Sequence, residues 1–171
     1  MENFVKFNIN KDRIGPVIGK KGKTKKYLEK EFNCKINVNS ETGEIRILGA
    51  DALNQFVLKN IINAVGLGHN PENAMILMDE NYVIDIIDLK DYVRKDRVKK
   101  VAGRIIGRNG SSKRAIEEIT GCFLSVDDNY VSFIGIYENV HLIREALEML
   151  IKGASHKSFY RYLEKNKVHF L

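Results

Sequence analysis

The chain has 171 residues, 44% of them hydrophobic, and a formal net charge of +6. That length holds one medium domain or two small ones, and the moderate basic excess suits a polyanionic partner without demanding one. Cys34 and Cys122 lie far apart and the four histidines are scattered, so no zinc ligand set is visible; no apolar run approaches the ~20 residues of a membrane helix. The opening MENFVKFNINKDR holds no apolar core of signal length. Two cysteines without a leader suit a reducing compartment, so a cytoplasmic protein is expected.

Phe4–Asn8 alternates like a strand. A short helix is predicted over 11–18, broken at Gly19, and a second over 23–32 with Leu28 and Phe32 on one face. Strands follow near 35–39 and 44–48. Leu53, Phe56, Val57, Ile61 and Ala64 then recur at helical spacing and predict a long helix with one apolar face. Gly66-Leu67-Gly68-His69-Asn70-Pro71 is turn chemistry, and 72–78 reads as a short helix. Tyr82–Leu89 is the next strand. Helices near 97–106 and 111–120 and strands near 122–126 and 130–135 come after it. Val140, Ile143, Leu147, Leu150 and Ile151 mark the last long helix. The order is β-α-α-β-β-α, twice. It predicts an α+β protein of two units, each with helices on one face of a three-stranded antiparallel sheet. The expected divisions are 1–68, a linker over 69–80, 81–152, and a helical tail over 153–171.

The two units are copies. GPVIGKKGKTKKYLEKEFNCKINV (15–38) aligns without a gap on GRIIGRNGSSKRAIEEITGCFLSV (103–126). Gly15, Gly19 and Gly22 fall on Gly103, Gly107 and Gly110, Ile18 on Ile106, Lys25 on Lys113, Glu29 on Glu117, and Cys34 on Cys122. Charge follows the copies. Residues 1–65 carry 12 basic and 7 acidic groups, 66–96 carry 3 and 7, and 97–171 carry 13 and 8. The positive excess thus sits in the repeats, as an anion-binding role for them requires.

Each repeat places Ile-Gly-x-x-Gly between two helices. Glycine at both ends permits a tight turn with positive φ and lets a sugar-phosphate backbone approach closely. The following helix points its unpaired N–H groups and positive dipole end at the same spot. Lys20, Lys21, Lys23, Lys25, Arg108, Lys113 and Arg114 add charge around Gly19, Gly22, Gly107, Asn109 and Gly110. Ser111 is expected to cap the second copy's helix.

Other chemistries fit less well. Gly22-Lys23-Thr24 ends like a P-loop, but Val17 stands where its first glycine belongs, and a helix, not a strand, precedes the loop. Asp79, Glu80, Asp85, Asp88, Asp91 and Asp96 could gather at a hydrolytic or metal site. A solvated strand edge that discourages sheet pairing is the plainer reading. Cys34 and Cys122 read as small buried residues. Tyr82, Tyr92, Tyr130, Phe159, Tyr160 and Tyr162 suit base stacking or core packing equally.

The paired Ile-Gly-x-x-Gly segments, each followed by a helix and a strand, resemble the signature of the KH domain in its eukaryotic-type (type I) order. In that family the loop clamps about four nucleotides of single-stranded nucleic acid. The resemblance implies an apolar base-binding floor of Ile14, Ile18, Ile36 and Val38 in the first copy. In the second it implies Val101, Ile106, Leu124 and Val126, with Arg104 beside them. The whole chain, and RIIGRNGSSKRAIEEITGCFLSV in particular, is similar to the "partner of Nob" family of small-ribosomal-subunit assembly factors, in its compact archaeal form. Eukaryotic relatives tend to lose the first loop, whereas Gly19-Lys20-Lys21-Gly22 is intact here. That resemblance implies a non-enzymatic protein, without cofactor, that binds the 3′ region of small-subunit rRNA during maturation. It would work beside a PIN-domain endonuclease and contact the alpha subunit of initiation factor two. A KH regulator of mRNA or transcription, a scaffold with inactive grooves, and a nuclease are the alternatives.

Overall fold

The computed structural model describes residues 4–167, so residues 168–171 of the expected tail lie outside the described residues. The chain divides into two compact units, 1–78 and 79–171. The first contains β1 (Phe4–Asn8), α1 (Ile14–Ile18), α2 (Lys23–Glu31), β2 (Lys35–Val38), β3 (Glu44–Leu48), α3 (Ala52–Gly66) and α4 (Pro71–Met75). The second contains β4 (Tyr82–Asp88), α5 (Val98–Ile106), α6 (Ser111–Thr120), β5 (Phe123–Asp127), β6 (Tyr130–Ile136), α7 (Tyr137–Ile151) and α8 (His156–Asn166).

Each unit has a three-stranded antiparallel sheet, in the order β1-β3-β2 and β4-β6-β5. The strand that follows the glycine loop and its helix therefore lies at a sheet edge in both. Register fixes the faces. Lys6, Arg46 and Asn37 form one exposed row, while Val5, Ile47 and Ile36 form the adjacent row toward the helices. Ile14, Val17, Leu28, Ile36, Ile45, Ile47, Leu58, Ile61 and Ile62 are buried in the first unit. In the second, Ile87, Leu124, Val131 and Phe133 meet Val101, Ile105, Ile116, Ile143 and Leu147 in one cluster, which Phe159 and Leu163 of α8 complete.

Two sequence expectations are corrected. Leu53 and Phe56 are 72% and 63% exposed. The buried face of α3 runs instead through Gln55, Leu58, Ile61, Ile62 and Val65. Gln55 can lie there because its amide donates to the Ala50 carbonyl. The acidic strand β4 does lie at a sheet edge, but its acids are not simply solvated. Asp85 pairs with Phe133 in register, hence on the helix side, and both its oxygens take Arg144 Nη1 of α7 at 2.7 Å. Asp88 Oδ1 accepts from Lys90 N and Asn129 Nδ2.

Gly135 of β6 faces Cys122, and a Cβ added there would run into Cys122 Sγ. Gly135→Ala is therefore expected to cost about 1–3 kcal/mol as overpacking, read as a lowered urea midpoint. Adding Cys122→Ala should recover part of that loss.

Candidate nucleic-acid interface

The glycine loops are backbone twins. Gly19 has φ 77 and ψ 169, Lys21 φ 54 and ψ 30, Gly22 φ 74 and ψ 12. Gly107 has φ 74 and ψ 171, Asn109 φ 53 and ψ 30, Gly110 φ 74 and ψ 15. These positive-φ residues reverse the chain within four positions. A Cβ on Gly19 would collide with Thr24, and one on Gly107 would lie 2.6 Å from Ser112 N. Glycine is thus required by close approach as well as by torsion.

The loops end in α2 and α6, whose N-caps are Gly22 and Gly110 in the left-handed region, with no side-chain cap on either. Ser111 is therefore not the cap. It is the first helical residue, and its exposed side chain follows the cap position. No side-chain acceptor competes for an anion at either helix start, although the first helical N–H of each is taken by the loop itself, Lys23 N by the Lys20 carbonyl and Ser111 N by the Arg108 carbonyl. Lys20, Lys21, Lys23, Arg108, Asn109 and Arg114 are exposed around them, and Lys113 is half-buried.

The expected floor splits in two. Ile18, Val38, Ile106 and Val126 are half-exposed and remain available to a ligand. Ile36 and Leu124 are buried where the helices cover the inner face of the edge strand, and Ile14 and Val101 are buried on the inward sides of α1 and α5. Arg104 does not reach the groove with a free guanidinium. It donates to the Leu150 carbonyl at 2.9 Å and the Ala154 carbonyl at 2.7 Å, tying α5 to the end of α7. Arg13 does the same job in the first unit through the Val65 and His69 carbonyls.

One pair of groove residues carried no predicted role. Glu29 Oε1 accepts from Ile36 N, and Glu117 Oε1 from Leu124 N, both at 2.8 Å. These carboxylates occupy the same amide of the free edge strand in each unit. Their identity across the repeat was the available signal. Lys25 also pairs with Glu29, Nζ to Oε1 2.9 Å, so its charge is partly spent there. Burial raises the Glu29 pKa, but the Ile36 N–H and the Lys25 ammonium outweigh it, and the net shift is downward. Burial pushes the Cys122 thiol up to about 11, which suits an inert residue. Of the aromatics, Phe159 is core, and Tyr160 donates to Ser112 Oγ at 3.0 Å. Among the described residues no group of three His, Cys, Asp or Glu could hold a metal ion, and no helix is long and apolar enough to cross a membrane.

Comparison with known proteins agrees with this geometry. The profile described as KH domain matches residues 4–62, and the one described as eukaryotic type KH-domain (KH-domain type I) matches residues 83–168. A KH domain-containing protein of Methanocaldococcus jannaschii is 41% identical over 164 residues, which cover 93% of this chain and 72% of that protein. The chain belongs to the Dim2/PNO1-type family of tandem KH-domain proteins. The crystal structure of Dim2p from Pyrococcus horikoshii is 40% identical, with a TM-score of 0.87 over 95% of this chain and 99% of that one. A second Pyrococcus horikoshii structure, of an a/eIF2alpha-aDim2p-rRNA complex, is 39% identical with a TM-score of 0.89 over 96% and 93%. The pre-rRNA-processing protein PNO1 of Chaetomium thermophilum is 27% identical over 79% of this chain, which spans half of that relative's length.

Because the Glu29 pKa is depressed on folding, its contribution to stability is complete above the ordinary value of 4.5 and lost as pH falls through the lower folded value. Glu29→Gln is expected to flatten the acid limb of the stability-pH curve between 4.5 and the lower folded value. Chemical denaturation at a series of pH values checks this.

Proposed function

We propose that this protein is a non-enzymatic, single-stranded RNA-binding factor of small-ribosomal-subunit assembly. It holds the 3′ region of small-subunit rRNA during pre-rRNA maturation. The observation that carries the reading is the pair of twin loops, each joining uncapped helix-start amides to exposed cations. A phosphate run sits on each loop. Unstacked bases lie over Ile18 and Val38 or over Ile106 and Val126. Relatives named for pre-rRNA processing, and the Pyrococcus horikoshii protein solved with rRNA and a/eIF2alpha, support the RNA class and the alpha subunit of initiation factor two as a partner. Absence of catalysis is part of the reading, since Asp85 is committed to Arg144 and the Cys122 thiol is raised. A PIN-domain endonuclease would cut the RNA end that this factor presents, in the cytoplasm.

Lys20→Asp with Lys21→Asp should weaken RNA binding through the first unit, and Arg108→Asp with Asn109→Asp through the second. Each pair is expected to cost roughly tenfold at moderate salt and to flatten the salt dependence of affinity. Fluorescence anisotropy against salt measures both. RNA crosslinking in cells should pile up at the small-subunit rRNA 3′ end; crosslinks concentrated on mRNA would replace this reading with that of a KH regulator.

A further inference from the structure

The two units enter their loops differently. Lys11-Asp12-Arg13 and Lys95-Asp96-Arg97 are the same tripeptide in the same single-turn conformation before α1 and α5. From there to the loop, α1 runs five residues and α5 nine. The extra turn of α5 buries Val98 and Val101 and exposes Lys99 and Lys100. Arg94, Lys95 and Arg97, also exposed, precede them, with Asp96 as the acidic neighbour, 3.4 Å from Arg94.

Their position opposes their own helix. Lys99 and Lys100 lie in the first turn of α5, which contains no acidic residue. The positive end of the helix dipole disfavours cations there. A charge that breaks a local rule without a partner points to a role outside the fold. Lys99 and Gly103 are four residues apart on α5, so they share one stripe of the helix, and Gly107 follows as its C-cap. Gly103 is exposed, with nothing within 4 Å of a Cβ placed on it. A bare lane thus leads from the loop back to the lysines, about 12 Å along the helix at 1.5 Å per residue.

We propose that this lane is an RNA-backbone track: a strand held by the second loop continues over Gly103, and its phosphates pair with Lys99, Lys100 and the cations before them. The first unit repeats the spacing in Lys11, Gly15 and Gly19, and Gly15 is equally open, but Asp12 stands where the second unit has Lys100, and Asn8, Ile9 and Asn10, none of them cationic, precede Lys11. The proposal rests on the RNA-binding reading above and extends the second site beyond the groove.

The test uses the full chain carrying Lys20→Asp and Lys21→Asp, so that the second loop dominates binding. Single-stranded RNAs of about four and about ten nucleotides, the shorter sized to the groove, are titrated by anisotropy at several salt concentrations. Lys99→Glu with Lys100→Glu should leave the short RNA within twofold and weaken the long one at least tenfold. The long-RNA salt slope should flatten by about 1.4, at about 0.7 for each phosphate that is no longer neutralised. The thermal midpoint should hold or rise, because acidic residues suit a helix start. Lys99→Gln with Lys100→Gln should give an intermediate loss. Equal losses on both lengths, or none on the long RNA, overturn the track while leaving the groove intact. Failure of the chain with Lys99 and Lys100 in place to bind the short RNA at all removes the groove reading, and the track with it.

Discussion

A backbone that turns at Gly19 and Gly107, where no side chain fits, is the constraint on which both candidate surfaces depend. The collision partners of an added Cβ are Thr24 and Ser112, one residue into each following helix's exposed start. Close approach of loop and helix is completed by the loop's own bonds, from Lys23 N to the Lys20 carbonyl and from Ser111 N to the Arg108 carbonyl. The opposite wall is set by Glu29 and Glu117, whose carboxylates hold the edge strand against the helix by the amides of Ile36 and Leu124. Loop, helix and strand are thus fixed relative to one another by bonds that leave the solvent side open.

Much of this was legible in the residues. Glycines at matching places in two copies gave the loops, and alternating or helical apolar spacing gave the strands and helices within a residue or two. What failed did so for identifiable reasons. Leu53 and Phe56 are apolar but sit outside the stripe that Leu58, Ile61 and Ile62 turn inward. A buried Gln55 satisfied by a carbonyl cannot be distinguished from a surface glutamine by composition. Ser111 suggested a cap, but the left-handed Gly110 already occupies that position. Arg104 reads as a groove residue beside the floor, and only tertiary structure brings it to the carbonyls of residues some fifty positions later. The added turn of α5 was hidden because an alignment anchored on Gly15 and Gly103 begins after it.

The copies have diverged around a preserved loop. In the first, Lys25 is drawn onto Glu29, and the helix before the loop is short. In the second, that helix is longer and more basic, and α8 packs behind it.

The role of α8 has a consequence for the order in which the protein matures. Phe159 and Leu163 complete the second core, His156 Nε2 meets the Arg104 carbonyl at 2.8 Å, and Tyr160 holds Ser112 from behind. A nascent chain emerging N-terminus first can finish its first unit while the second still lacks its rear support. The two halves are therefore completed at different moments of synthesis, the first before the second has its rear support.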